Sequence, residues 1–273
     1  MSEPTPTPAA LPHALECMRC GYMLRGLEGV ARCPECGLEI DASLSEQELR
    51  RADPFWVGNL TDGALAGAVG EIGLMFYAFV SLTRSYLPSI STSSLHGASL
   101  LCAWASAMLL TRQSAHARAL EEGWSVRRAL RIVASTYLAL HFYNLELSRL
   151  LPSLSDVTLW SARIASIVVL PLFYIQLRRL GRRVPDAFII RHSPVVMGSK
   201  LAAYIMLEFA PTFLALLPSP NRGQTGYLRI PGWVLWWAGS IYSVALLLHA
   251  RKRFAAAAVE ANNNWRVQAP SAA

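Results

Sequence analysis

Long apolar runs alternate with short polar stretches along most of this chain. Six of these runs are each close to the length of a membrane-spanning helix, at residues 64–82, 95–111, 130–150, 159–177, 200–218 and 231–250. An α-helix rises about 1.5 Å per residue, so about 20 apolar residues cross the roughly 30 Å of hydrocarbon in a bilayer. The pattern predicts a mainly α fold, a polytopic transmembrane helical bundle of about six spans.

The polar stretches divide the chain into five segments. They are a disordered tail at 1–16, a cysteine-rich module at 17–40, a linker helix at 41–58, the transmembrane domain at 59–254 and a flexible cytoplasmic tail at 255–273. Ser43 or Ser45 is expected to cap the linker helix. Pro54 is expected to follow the end of that helix, because proline has no amide hydrogen with which to continue it.

The composition indicates that the bilayer is the solvent for most of the chain. Hydrophobic residues make up 53% of it and charged residues only 16%, against roughly 25% charged residues in soluble globular proteins. The mean hydropathy is +0.32. A soluble chain of 273 residues would need more polar surface to stay dispersed, so an ordinary soluble domain is excluded.

The distribution of positive charge predicts the orientation. Of the 25 Lys and Arg residues, twenty lie before the first run, in 112–131, in 178–200 or after the last run. The three remaining connections hold only four, and Arg163 lies within a run. Cationic loops stay on the cytoplasmic side of a membrane. We therefore expect a protein of the cytoplasmic (inner) membrane with both termini cytoplasmic, and the basic net charge of +7 needs no nucleic acid to explain it.

Four of the five cysteines form two close pairs near the start of the chain. The pairs are Cys17-x2-Cys20 and Cys33-x2-Cys36, with twelve residues between them. Two cysteines three positions apart on a tight turn can direct both sulfurs at one ion, and two such turns complete a tetrahedron. In the reducing cytosol the thiols would not form disulfides. The spacing therefore predicts one structural Zn²⁺ held by all four cysteines.

A glycine follows each cysteine pair, and it supports a turn around a metal. Gly21 and Gly37 allow a positive φ, so that backbone amides can face the thiolates. Four thiolates would leave no open position for water or substrate, so the site is expected to be structural rather than catalytic. Redox iron, as in rubredoxins, and the absence of a stable metal are the alternatives.

The stretch CMRCGYMLRGLEGVARCPECG, residues 17–37, resembles the N-terminal zinc ribbon of a group of bacterial multi-pass membrane proteins of uncharacterised function. Those proteins read much like CxxCGYxLRGL…RCPECG, followed by a phrase similar to RADPFW at 51–56 ahead of the first span. The resemblance covers about 45 residues. It implies a small β-type zinc ribbon next to a membrane domain, and it implies no activity.

Several ionisable or amide side chains interrupt the apolar runs. Charged groups are costly in hydrocarbon and usually face the interior of a bundle. We expect a polar cluster in which His141 and Asn144 meet Glu71 or Glu208. Interhelical hydrogen bonding is the favoured role of this cluster, and a transport path or a catalytic site is the alternative.

Small residues recur along the first apolar run. Gly63, Gly67, Gly70 and Gly73 form a smooth stripe on one side of the predicted helix. Glycine lets two helix backbones approach closely, and such stripes mark helix-helix contacts within membranes. The first span is therefore expected to pack tightly against a neighbour through this stripe.

These observations favour a role that is not enzymatic. No zinc-protease helix motif, phosphate-binding loop or serine-nucleophile motif occurs in the sequence. The favoured function is an interaction or scaffold protein in the lipid bilayer, with a protein partner at the zinc ribbon. A small transporter or channel using Glu71, His141, Asn144 and Glu208 is the alternative, and an intramembrane enzyme is a third. Nucleic-acid binding is not favoured, and no small-molecule substrate can be named.

Overall fold

The computed structural model describes residues 17, 22–24, 26–27, 30–37, 39–40, 43, 49–82, 92–112, 126–144, 155–184, 186–209 and 222–268. The described chain is mainly helical, which confirms the predicted class. Its helices are α1 (Pro54–Leu82), α2 (Thr92–Leu110), α3 (Val126–Phe142), α4 (Ser155–Arg183), α5 (Ala187–Tyr204) and α6 (Arg222–Gln268). A 3-10 turn (Leu49–Arg51) precedes α1, and a π-helical turn (Ile205–Phe209) follows α5.

The six helices correspond in order to the six apolar runs. Three of them contain segments long and apolar enough to cross a bilayer: Pro54–Ser81, Val157–Arg183 and Ile230–Asn264. A shorter apolar segment, Ser94–Leu110, belongs to α2. By length and composition, three helices can therefore cross a membrane, whereas the prediction was about six spans.

The start of α5 differs from the predicted boundary. The helix begins at Ala187, thirteen residues before the predicted span at 200–218, and the structure describes the chain there only as far as residue 209. Asp186 caps this helix, because its side chain accepts a hydrogen bond from the Ile189 amide at 3.0 Å. Arg191 and Lys200 lower the hydropathy of α5, and the sequence alone therefore placed them in a connection.

The start of α1 adds to the prediction for Pro54. Pro54 comes after the 3-10 turn and is also the first residue of α1. Asp53 accepts a hydrogen bond from the Phe55 amide through its side chain at 2.9 Å, and its carbonyl accepts one from Val57. Proline is favoured at the first helical position, where its missing amide hydrogen has no partner to lose. Most of the predicted linker helix and the tail at 1–16 lie outside the described residues.

The C-terminal segment is helical over its described length. α6 continues to Gln268, well past the predicted end of the last span at residue 250. Residues 255–258 are four consecutive alanines, and alanine has the highest intrinsic helix propensity. The described residues of the predicted tail at 255–273 therefore belong to α6, and the flexibility of the tail stays a prediction.

The chain divides into two compact units. Unit 1 comprises 1–58, 113–123 and 255–273, and unit 2 comprises 59–112 and 124–254. Among the described residues of unit 1, Arg32 and Glu39 form an isolated antiparallel bridge and Met23 is also a bridge residue, but no strand is present. The β-type ribbon expected from the sequence is therefore not among the described elements.

Contacts in unit 2 bring the starts of α1, α3 and α5 to the ends of α2 and α4. We call this end of the unit the basic end. The side chain of Arg112, after α2, donates to Asn59 in α1 at 3.1 Å, and Arg131 in α3 donates to Thr111 at 2.8 Å. Near the end of α4, Gln176 donates to the Leu110 carbonyl at 3.2 Å.

The other ends of the same helices also meet, and we call this the distal end. Tyr77 of α1 stacks on His96 of α2, with ring centroids 4.2 Å apart. The His96 ring in turn lies 4.3 Å from the ring of His141, near the end of α3. Arg163, early in α4, pairs with Glu208 after α5 at 3.3 Å. Helices that follow one another in the chain therefore run in opposite directions.

The glycine stripe of α1 packs against α2, as predicted. A Cβ atom at Gly70 would lie 3.0 Å from both the Ala103 amide nitrogen and the Ser99 carbonyl oxygen. Ser106 of α2 donates a hydrogen bond to the Gly63 carbonyl at 2.7 Å. The two backbones are thus close enough for a serine hydroxyl on one helix to bond the main chain of the other.

Candidate functional site

Three of the four predicted metal ligands lie together in unit 1. The sulfur atoms of Cys17, Cys33 and Cys36 are all within 4.8 Å of one another, and those of Cys17 and Cys36 are 3.5 Å apart. A zinc ion with Zn–S bonds of about 2.3 Å in a tetrahedron requires sulfur-sulfur separations of about 3.8 Å. The three thiols therefore fit one tetrahedral ion. Cys20, the predicted fourth ligand, lies outside the described residues.

Local backbone bonds position the second cysteine pair. The Gly37 amide donates to the Cys33 carbonyl at 2.9 Å, and Gly37 has the positive φ of +71° that was predicted for it. The Ile40 amide donates to the Ala31 carbonyl at 3.0 Å, next to the bridge between Arg32 and Glu39. The segments before Cys33 and after Cys36 therefore run antiparallel, with the two cysteines in the turn between them. Gly21, the corresponding glycine of the first pair, lies outside the described residues.

A small apolar core surrounds the thiols. Leu24 and Ile40 are buried together with Cys17 and Cys33, and Leu27 packs against them. A core of this size cannot stabilise a segment of about 24 residues without a further cross-link. The sequence analysis did not use these apolar residues, although their position between and after the cysteine pairs was visible.

The residues of the predicted polar cluster contact side chains on other helices. Glu71 in α1 pairs with Lys200 in α5, whose Nζ lies 2.6 and 2.5 Å from the two carboxylate oxygens. The exposed fractions of these side chains are only 16% and 7%. Because the partners are 129 positions apart in the chain, the sequence alone did not reveal the pair.

Glu208 has a different partner. Its carboxylate pairs with Arg163, whose guanidinium also lies over the Trp160 ring, 5.0 Å from the centroid. Tyr204, one turn before Glu208, donates toward the Arg163 carbonyl at 3.5 Å. Arg163, the charged residue within the fourth apolar run, is thus paired with an acidic residue in the turn after α5.

His141 and Asn144 have partners of their own among the described residues. The His141 ring lies against the His96 and Tyr137 rings, with centroids 4.3 and 6.4 Å away. The Asn144 side chain accepts a hydrogen bond from Thr158 at 2.7 Å. Each of the four predicted residues thus contacts another side chain, and whether they act as one cluster stays a prediction.

No protein-family model, curated protein or solved structure matches this chain. Function is therefore inferred from the side chains alone. Among the described residues, Cys17, Cys33 and Cys36 form the group that could hold a metal ion. The ionisable residues predicted within the bundle have partners on other helices, as interhelical connections do.

A polar site that the sequence analysis missed lies at the basic end. Asp186, which caps α5, also contacts His249 at 3.1 Å and Arg253 at 2.9 Å on α6. Burial alone would raise the pKa of Asp186, but the hydrogen bonds from the Ile189 amide and His249, with the charge of Arg253, lower it overall. The carboxylate thus fastens α6 to the turn between α4 and α5. An acidic residue directly before an apolar helix was the signal in the sequence.

A buried hydroxyl pair adds a neutral connection in the middle of the same helices. The hydroxyl groups of Tyr174 in α4 and Ser243 in α6 are 2.6 Å apart and buried. A buried hydroxyl is costly unless it is hydrogen-bonded. Side-chain pairs thus connect α1 to α5, α4 to α6, and α4 to the turn after α5.

Proposed function

We propose that this chain is a six-span protein of the cytoplasmic membrane that holds a zinc-stabilised module in the cytoplasm and acts as a scaffold for a protein partner. The observation that carries this proposal is the location of the charge in unit 2. Among its described side chains, every exposed Lys or Arg lies at the basic end: Arg128, Arg178, Arg179, Arg182, Arg191, Arg251 and Lys252.

This asymmetry supports both the number of spans and their orientation. Helices of alternating direction would each cross the bilayer once, and the basic end would face the cytoplasm because cationic segments are retained there. α3 and α5 are too short or too charged to be recognised as spans by composition. Within a bundle their ionisable groups have partners, which lowers the cost of placing them in lipid.

Reporter fusions test the orientation. Green fluorescent protein fused after residue 273 is expected to fluoresce, and alkaline phosphatase at the same position to stay inactive. Alkaline phosphatase inserted at residue 88 or residue 152 is expected to be active, because both positions would lie outside the cytoplasm. Active phosphatase after residue 273 would contradict the six-span arrangement.

The zinc-stabilised module supports a binding role rather than a catalytic one. A site of four thiolates has no position for a substrate, and its metal contributes folding energy. Exposed apolar side chains at Tyr22, Met23 and Val30 offer this small module a surface for a protein. We place the partner at this surface, on the cytoplasmic side.

The pairing of ionisable groups favours a scaffold over a transporter. Glu71 and Glu208 each have a cationic partner, so neither is free to bind a transported ion without breaking a pair. The adjacent imidazoles of His96 and His141 are the observation that favours the transporter alternative, because neighbouring histidines can relay protons.

Flux measurements separate these two functions. Purified protein is reconstituted into liposomes that contain a pH-sensitive dye, and an acid pulse is applied outside. A scaffold is expected to pass protons no faster than empty liposomes. A flux that is present in the wild-type protein and lost in His141→Ala would overturn the scaffold and establish the transporter.

A further inference from the structure

One face of α4 carries a continuous apolar stripe that no other described helix covers. Its members are exposed side chains at helical spacing, and we call them the α4 stripe: Val157, Ile164, Val168 and Ile175. At about 1.5 Å per residue, the stripe extends about 27 Å along the helix, close to the roughly 30 Å of hydrocarbon in a bilayer. Acyl chains can therefore lie along it from end to end.

Two arginines continue this stripe at the basic end. Arg179 and Arg182 are four and seven positions after Ile175, so they share its face of the helix. Both side chains are exposed, and Arg178 is exposed beside them. They lie about 6 and 10 Å past Ile175 along the axis, which is the depth of lipid headgroups. Neither guanidinium forms an ion pair with another described residue.

We propose that the α4 stripe with Arg179 and Arg182 is a binding site for an anionic phospholipid. The phosphate is held by the two guanidinium groups, and the acyl chain lies along the half of the stripe nearest to them, at Val168 and Ile175. Guanidinium groups bind phosphate oxygens through paired hydrogen bonds, which an ammonium group cannot do. The inference rests on the proposed membrane location of this chain, and it adds a specific lipid class to it.

Charge complementarity favours an anionic lipid over a second protein at this site. At the basic end, Asp186 is buried and already paired, so the described residues place no free carboxylate next to the two arginines. The exposed face of α1 provides a contrast, because its apolar residues Val69, Ile72, Phe76 and Phe79 lead toward exposed Asp62. Because this face of α1 is equally apolar but has no cations beside it, it has no preference for a phosphate.

Native mass spectrometry of the detergent-purified full chain tests the site. Phosphatidylglycerol and phosphatidylcholine with identical acyl chains are titrated separately. Each cation near an anionic surface contributes about fivefold in affinity, so we expect phosphatidylglycerol to bind the wild-type protein roughly 25-fold more tightly than Arg179→Gln/Arg182→Gln. Arg179→Lys/Arg182→Lys is expected to recover only part of this loss, because lysine keeps the charge without the paired geometry.

The matched control removes two charges elsewhere at the basic end. Arg128 is one turn from the exposed Ile132, but the exposed hydroxyls of Ser135 and Thr136 interrupt the apolar surface beyond it. Arg251 is one turn from the exposed Leu248, but it is about 100° around α6 from the exposed Val234 and Ile241. Neither arginine therefore continues an apolar stripe of the length of the α4 stripe. Arg128→Gln/Arg251→Gln is therefore expected to keep the preference for phosphatidylglycerol. An equal loss in both double variants, or no preference in the wild-type protein, would overturn the α4 site. A chain that stays in solution without detergent would instead overturn the proposed membrane location.

Discussion

Individual side chains show how this apolar chain accommodates charge. Lys200 is almost completely buried, and both oxygens of Glu71 lie within 2.6 Å of its amine. A buried ion pair is not a strong source of stability, because desolvation cancels most of the attraction. Its effect is selective, since loss of either partner leaves an isolated buried charge. Glu71 and Lys200 therefore determine which helices can be neighbours more than how stable the bundle is.

Glu71→Gln is expected to lower the free energy of unfolding by about 3–5 kcal/mol, because it leaves the Lys200 ammonium buried without a counter-charge. The double variant Glu71→Gln/Lys200→Met should recover most of that loss, since no charge remains. The measurement is denaturant unfolding of the purified protein in detergent. As a surface control, Glu260→Gln breaks the Arg50–Glu260 pair, whose side chains are 56% and 50% exposed, and should change stability by less than about 1 kcal/mol. Equal losses in the two single variants would contradict this account.

The thiols give a second expectation for single residues. Cys33→Ser is expected to reduce bound zinc from one ion per chain to nearly none, because serine does not replace a thiolate ligand. Cys102→Ser is the control, since Cys102 belongs to α2 and is not one of the three gathered thiols. Zinc is measured by elemental analysis of the purified full chain, and helix content by circular dichroism. Full zinc retention in Cys33→Ser would show that the gathered thiols do not hold the metal.

The lowered pKa of Asp186 predicts an acid-sensitive contribution to stability. A carboxyl group with a lower pKa in the folded state stabilises the fold above its unfolded value of 3.8. That contribution is lost as the pH falls below 3.8 and through the folded pKa. Asp186→Asn keeps a capping oxygen for Ile189 but removes the charge facing His249 and Arg253. We expect the variant to be less stable by about 1 kcal/mol at pH 7, with the difference disappearing as the pH falls through the folded pKa of Asp186. If the stability difference between the variant and the wild-type protein did not change with pH, the effect would come from the helix cap alone.

Helices and their boundaries could be predicted where the determining contacts are local. The glycine stripe of α1 was visible because Gly63, Gly67 and Gly70 are three and four positions apart, and the structure places it against α2. The bounds of α5 could not be predicted, because Lys200 is acceptable in a helix only when Glu71, in another helix, is present. The thiols of the metal site were predictable from spacing, whereas the partners of His141 and Glu208 depend on packing between helices.

The glycine stripe gives an expectation for a whole helix contact. Gly70→Ala would place its Cβ 3.0 Å from main-chain atoms of Ala103 and Ser99, which cannot move aside without shifting α2. We expect a loss of about 1–3 kcal/mol, as in other overpacked interfaces. Gly198→Ala is the matched control, because nothing lies within 4 Å of that position and alanine favours the helix. Thermal unfolding in detergent should therefore show a lower midpoint for the first variant and an unchanged or higher one for the second.

At the scale of the whole molecule, unit 1 contains gathered thiols and unit 2 has apolar surfaces. Exposed apolar side chains cover several helices of unit 2, including Ile164, at 58% exposed, and Ile241. In water such surfaces would aggregate, whereas in lipid they replace lipid-lipid contacts. The distribution of these residues on outward faces is what a membrane protein requires.

The expected behaviour of the whole chain follows from this distribution. After cell disruption and extraction with sodium carbonate at high pH, the full-length protein should remain with the membrane pellet. A peripheral protein held only by its arginines would be released, because carbonate removes electrostatic attachment but not apolar insertion. Release of this chain into the supernatant would contradict the membrane location. Solubilisation by dodecyl maltoside is the positive control for recovery.

The contact between α1 and α2 also bears on biogenesis. α1 leaves the ribosome before α2, and α2 is the shorter of the two apolar helices. The Ser106 hydroxyl of α2 donates to the Gly63 carbonyl of α1. Lipid offers this hydroxyl no hydrogen-bond acceptor, whereas the helix that precedes it in the chain does. The pair can thus leave the translocon together as one insertion unit. A bulky residue in the glycine stripe would then prevent insertion of the two helices during synthesis. The result would be degradation of the chain rather than a folded protein of lower stability.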